Sequence, residues 1–156
     1  GEEEVAGTST IESQMAASLT RTHVGLAALC GKLEMELAQM TTEEEIEFRE
    51  SLGAGEPGLD RMVNLSYDLL GLISFLTTGE DESRAWTIPQ GTSAVDAAAK
   101  IHSDIQRGFI RAEVIAFEDL ARTRSVAEAR KQAVLRTEGK TYVMQDGDVV
   151  NFLFNI

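Results

Sequence analysis

Cysteine occurs once in these 156 residues, at Cys30, and proline twice. A single thiol closes no disulfide within the chain and fits a reducing, cytosolic setting. Two prolines and no biased tract leave no long stretch of disordered composition. No apolar run approaches the roughly 20 residues that a membrane helix needs; the greasiest stretch, 69–76, is interrupted by Gly71 and Ser74. No basic-then-apolar opening marks a secretory signal, so no targeting segment and no membrane partner is expected. Cations are also short: 14 Lys and Arg stand against 26 Asp and Glu, a net charge of −12. The deficit is uneven. Residues 1–71 hold 14 acidic and 4 basic side chains, whereas 72–156 hold 12 and 10. The first half should repel nucleic acid and acidic membrane, while the second has room for a local basic patch. No Gly-x-x-x-x-Gly-Lys-Ser/Thr occurs, which excludes the usual phosphate-cradling loop. No nucleophile–base pair or metal-ligand cluster offers a catalytic site.

What is present suits a globular chain: 43% apolar and 26% charged residues, enough for one good core or two small ones. Residues 1–8 read as a solvated acidic end. Ser9 and Glu12 form a capping-box pattern, and Ile11, Met15 and Leu19 then predict a helix to about Arg21. Residues 24–30 are a short continuous apolar run that suits a buried strand, yet no earlier strand is there to pair with it. Thr41 with Glu44 and Thr42 with Glu45 offer two capping boxes for a helix to about Leu52, with Ile46 inward. After a Gly-rich loop at 53–58, Leu59, Met62, Val63, Leu70 and Ile73 mark a helical stripe.

From Leu72 onward the pattern changes. Residues 73–77 and 84–88 predict a hairpin. Thr92 or Ser93 caps a helix whose buried stripe is Val95, Ala98, Ile101 and His102. Residues 109–115 predict a strand, 123–136 a second helix with Val126, Ala129, Ala133 and Val134 inward, and 142–144 and 149–154 two strands about the Asp146-Gly147 turn. Strand, strand, helix, strand, helix, strand, strand is the order of a β-grasp domain in the α+β class.

Several residues carry two readings. His102 reads as helix-end packing or hydrogen bonding, since an acid–base role would need a partner and a cleft. Asp146 and Asp148 read as turn formers, because a calcium loop needs more spaced oxygen ligands. Trp86 reads as core or helix-facing, with a stacking platform for a base as the alternative. Arg122, Arg124, Arg130, Lys131, Arg136 and Lys140 stand against only Glu128 and Glu138 in 121–140. Arg84, Arg107 and Arg111 add charge. These are a solvated face or a patch for ribosomal RNA or a protein partner. Cys30 reads as a small buried hydrophobe.

The ordered set Arg84-Ala85-Trp86-Thr87-Ile88, the run Ala98 to Asp104 around Ile101-His102, Arg107-Gly108-Phe109-Ile110-Arg111-Ala112-Glu113, and Gln145-Asp146-Gly147-Asp148-Val149 before Asn151-Phe152-Leu153-Phe154-Asn155 resembles the C-terminal part of the YchF family, the Obg-like ATPases. The resemblance is specific over 84–156 and looser from 24. It implies a TGS domain of β-grasp fold over 72–156, a helical connecting segment over 34–71, and over 1–33 the edge of a P-loop nucleotide domain. Cys30, Gly31 and Lys32 would then sit at the loop bordering the nucleotide base. A plain strand-to-helix turn is the alternative. The resemblance implies a cytoplasmic parent protein that hydrolyses ATP with magnesium and associates with ribosomes or translation factors. In this chain it implies a monomeric, non-catalytic binding and regulatory module with no cofactor of its own; a purely structural domain is the alternative.

Overall fold

The computed structural model describes residues 8–79 and 82–155. The acidic opening, the Ser9 cap and the turn residues Glu80 and Asp81 lie outside the described residues and side chains. The chain divides after Leu70 into two compact units.

The first unit holds four helices: α1 (Thr8–Ser18), α2 (Gly31–Leu37), α3 (Thr42–Leu52) and α4 (Gly58–Leu70). Its core is small, Leu33 and Leu37 with Cys30, Met40 and Ala54 against them. The start of α3 is written in local chemistry. Thr41 accepts from the Glu44 amide, and the Glu44 carboxylate accepts from the Thr41 amide at 3.0 Å, a complete capping box. Gly53 ends the helix at φ 61°, a conformation that a side chain would oppose. The second expected box does not form, because Glu45 turns to Arg49 at 2.8 Å.

Three expectations for this unit are corrected. Residues 24–30 form no strand, since a strand exists only with a ladder partner. Ile73 does not belong to the α4 stripe but to the following strand; the stripe itself is helical and largely exposed, with Leu59 75% and Leu70 71% accessible. Ile46 is likewise exposed. The stripe pattern was read correctly as a helix but carried no information about what would cover it.

The second unit is a mixed α+β fold on a five-stranded sheet. Its elements are β1 (Leu72–Thr78), β2 (Ser83–Pro89), α5 (Ala94–Ile101), α6 (Ser103–Arg107), β3 (Phe109–Ala116), α7 (Phe117–Thr123), α8 (Val126–Lys131), β4 (Arg136–Glu138) and β5 (Asp148–Phe154). The strand order is β2-β1-β5-β3-β4. β1 and β5 run parallel, and the other neighbours are antiparallel. Side-chain alternation sorts the sheet into two faces. Ile73, Phe75, Ile88, Ala112, Val114, Val150 and Phe152 share the main core with Ala94, Ala97 and Ala98 of α5. Their neighbours Ile115 and Val149 point the other way, into a second cluster with Leu76, Leu120, Ala129, Val134 and Leu135. Gly108 permits a close crossing: it accepts from the Asn155 amide at 2.9 Å, and a Cβ there would collide with the Asn155 backbone.

The expected 123–136 helix shrinks to α8, Val126–Lys131, because a preceding helix, α7, ends at Thr123. Arg124 takes φ 61° and ends α7; Ser125 then caps α8, accepting from the Glu128 amide at 3.1 Å. The fourth strand is 136–138, paired with β3, and not 142–144. Val143 makes a single bridge with Ser93. The backbone around it is committed to the approach to α5, with the Ala94 amide on the Tyr142 carbonyl at 2.8 Å and the Met144 amide on Thr92 at 3.0 Å.

His102 is exposed and outside the buried stripe. It ends α5 and caps α6, its Nδ1 accepting from the Asp104 amide at 3.1 Å. His102→Ala should cost about 1 kcal/mol in urea unfolding, and His102→Asn, which can still accept, well under half of that.

Candidate functional site

The basic residues of the second unit fall into two groups. Arg130 bonds Glu113 at 2.8 Å, Lys131 lies 3.4 Å from Glu128, Arg122 bonds Asp119 at 2.6 Å, and Arg107 bonds Asp104 at 2.6 Å. Arg136 reaches Asp148 at 3.3 Å. Arg111 and Arg124 are exposed and, among the described residues, carry no carboxylate partner within 4 Å. Pairing at the surface lowers the field that a segment presents, so the six positive charges of 121–140 do not act as six free cations. Arg124 stands apart at the break between α7 and α8, and Arg111 sits on β3 opposite Leu153.

Arg84 lies over the Trp86 ring, 4.5 Å from its centroid. The indole is half-buried in the main core, stacks with Phe75 at 6.5 Å and donates to Thr77 Oγ1 at 2.9 Å. One ring face thus belongs to the core and the other to Arg84.

A polar site that sequence reasoning missed lies at the start of β5. Asp148 is 2% exposed. Its Oδ2 accepts from the Tyr142 hydroxyl at 2.9 Å and from the Gln145 amide at 2.9 Å. Arg136 approaches Oδ1 and packs on the Tyr142 ring, 5.4 Å from its centroid. Burial first, and then the adjacent Asp148 carboxylate, push the Tyr142 hydroxyl pKa up. The Asp-Gly-Asp turn was legible, but the burial of its second carboxylate depends on β4 and residue 142 arriving from outside it. Asp146 does form the turn and accepts from the Ser74 amide at 2.7 Å.

In the first unit, Cys30 is a half-buried free thiol at the start of α2 and makes no side-chain cap. Lys32 is exposed and 3.6 Å from Glu36. Beside this loop the backbone is already used. The Ala28 amide donates to Glu12 at 2.6 Å, and its carbonyl accepts from Arg61, which also pairs with Glu12.

Residues 72–155 match the model of the C-terminal YchF GTPase domain, described as a protein of unknown function (DUF933). The chain belongs to the YchF family. It is 49% identical over 128 residues to the ribosome-binding ATPase YchF of Bacillus subtilis, an alignment covering 82% of this chain and 35% of that protein. The YchF of Escherichia coli O157:H7 is 46% identical over the same coverage. The solved structure of the Schizosaccharomyces pombe YchF GTPase superposes with a TM-score of 0.62 at 36% identity, covering 76% of this chain and 31% of the other. The chain thus spans about a third of the length of the curated YchF relatives it matches.

The residues present do not fit the magnesium–ATP that the YchF resemblance implies. The hollow lined by Ala28, Cys30, Leu33 and Arg61 measures about 20 Å³, room for a water and not for a purine. Among the described residues no group of three His, Cys, Asp or Glu side chains could hold a metal ion.

Proposed function

We propose that this chain is the non-catalytic C-terminal portion of a cytoplasmic, ribosome-associated YchF ATPase, with a TGS-type β-grasp domain as its binding and regulatory module. The observation that carries this reading is the kinship over 128 residues to proteins named ribosome-binding ATPases. The strand order β2-β1-β5-β3-β4, with α5 against one face, supports the β-grasp assignment. In this reading 1–33 is the edge of the ATPase core, 34–71 a helical connector and 72–156 the TGS domain. ATP and magnesium are bound by the parent protein and not by this monomeric portion. No helix among the described residues is long and apolar enough to cross a membrane.

The contact surface we propose includes Arg84, Arg111, Arg124, Arg130, Lys131 and Arg136, with ribosomal RNA as the partner. Ribosome co-sedimentation of the whole chain across a salt series tests it. Replacing Arg84, Arg111 and Arg124, which have no carboxylate partner among the described residues, by Ala should weaken association and flatten the log–log salt slope by about 2, at roughly 0.7 per lost phosphate contact. Replacing Arg130 and Lys131 should do less, because each already faces a carboxylate. Unchanged association and slope in the first variant would reject the surface. That pairing is also the observation that favours a second reading, a structural domain that positions the ATPase core and has no ligand of its own.

A further inference from the structure

The sheet face opposite α5 is only partly covered. Between α8 and the ends of β3 and β5 lies a groove of about 560 Å³, within the roughly 300–1,000 Å³ typical of small-ligand sites. Val126 and Leu135 line it from the α8 side, and beneath them lie the buried Ile115 and Val149 of the second core cluster. These are four aliphatic side chains with no charge among them. Glu113 and Asn151, neighbours across β3 and β5, supply polar groups on the sheet side, and Thr78 adds a hydroxyl from the end of β1.

The two Glu113 oxygens are unequally used. Oε1 accepts from Arg130 at 2.8 Å, whereas among the described residues Oε2 has only the Asn151 amide at 3.4 Å, a long contact. A half-buried carboxylate oxygen with spare acceptor capacity therefore stands at an apolar slot, its charge offset by Arg130.

We infer that this groove takes an unstacked guanine, its ring against the aliphatic walls and its donor edge on Glu113. Guanine carries two adjacent donors, N1–H and N2–H, and an ionised carboxylate is acceptor-only, so the two edges match. Adenine would turn a ring-nitrogen lone pair toward the same carboxylate and be repelled. Asn151 can donate to guanine O6 from beside the carboxylate. Arg130 at the rim, 63% exposed, lies where a sugar–phosphate backbone would leave the slot. The inference deepens the proposed ribosomal association and rests on it only for the source of the base, a guanine in single-stranded RNA; the same chemistry would accept a free guanine nucleotide.

Amide chemical-shift titration of the isotope-labelled chain tests this, with GMP, AMP, and the RNA pentamers AAGAA and AAAAA as probes. GMP should shift the amides of Ile115, Val126, Val149 and Asn151 and bind at least about tenfold more tightly than AMP, the value of one good paired edge. AAGAA should outbind AAAAA if the source is RNA; GMP binding without that difference supports the site with free nucleotide as its source. Glu113→Gln should bring GMP down to the AMP level. Val126→Trp, at an exposed position, should fill the slot and abolish the shifts while leaving the remaining spectrum intact. Absent groove shifts, equal GMP and AMP affinities, or a full guanine preference in Glu113→Gln would each overturn the inference. Ribosome co-sedimentation of the same preparation separates the two readings. Association without groove shifts overturns the guanine site alone; groove shifts without association support the site and overturn only the ribosomal reading.

Discussion

Arg49→Ala should unfold the helical unit while leaving the sheet unit intact. Arg49 is 7% exposed, and three carboxylate contacts hold it. Its Nη1 and Nη2 donate to the two Glu34 oxygens at 3.0 and 2.7 Å, and its Nε to Glu45 at 2.8 Å. Glu34 also accepts from the Gly58 amide at 3.0 Å, so one ion pair ties α2, α3 and the start of α4 together. Removing Arg49 leaves a partly buried carboxylate uncompensated, which costs about 3 kcal/mol. The apolar core here is essentially Leu33 and Leu37, so that loss exceeds what so small a core can absorb. Hydrogen exchange should show α2, α3 and the start of α4 losing protection, with β1–β5 unchanged. Trp86, the only tryptophan, lies in the sheet unit, and its fluorescence midpoint should not move. A parallel loss of protection in both units, or in neither, would contradict this account.

The same clamp gives a pH dependence. Hydrogen bonding from Arg49 holds the Glu34 carboxyl below its usual pKa, and the Gly58 amide adds to this. A depressed carboxyl contributes stability that is present above the unfolded value of about 4.5 and is lost as pH falls through the lower folded value. The helical unit should therefore lose stability below about pH 4.5.

Asp148→Ala should destabilise the sheet unit by about 3 kcal/mol. The substitution strands the Tyr142 hydroxyl and the Gln145 amide, each bonded at 2.9 Å to one carboxylate oxygen. Bonds to an ionised group contribute about 1.5–3 kcal/mol each, and these partly buried donors, left unpaired, carry a further desolvation cost. Arg136 adds little, being 46% exposed and 3.3 Å away. Asp148→Asn keeps one acceptor and should lose about half as much. Urea unfolding followed by Trp86 fluorescence reads both variants. An Asp148→Ala midpoint within error of the parent chain would mean that the carboxylate does not anchor β5.

Where hydrogen-bonding information is local, the sequence was sufficient. Thr41 with Glu44, the stop at Gly53, the cap at Ser93, and the 73–77 and 84–88 hairpin all lie within a few residues of the groups they satisfy; the Asp146-Gly147 turn shows in its residue types, although Asp146 itself bonds the distant Ser74. β3 and β5 were legible because an apolar run or alternation shows in the side chains themselves. The family resemblance lay in the same stretch, 84–156, and the matched domain spans 72–155. Partners were not legible. Residues 24–30 look like a strand and form none, and Arg136, read as the end of a helix, instead opens the strand that completes the sheet on β3. A ladder is chosen by whichever backbone arrives beside it, and that is decided far away in sequence. The break at Arg124, the burial of Asp148, the pairing of Arg130 with Glu113 and the groove between α8 and β5 belong to the tertiary structure for the same reason. Each is a relation between segments or a strain accepted to make one, and composition and periodicity describe segments singly.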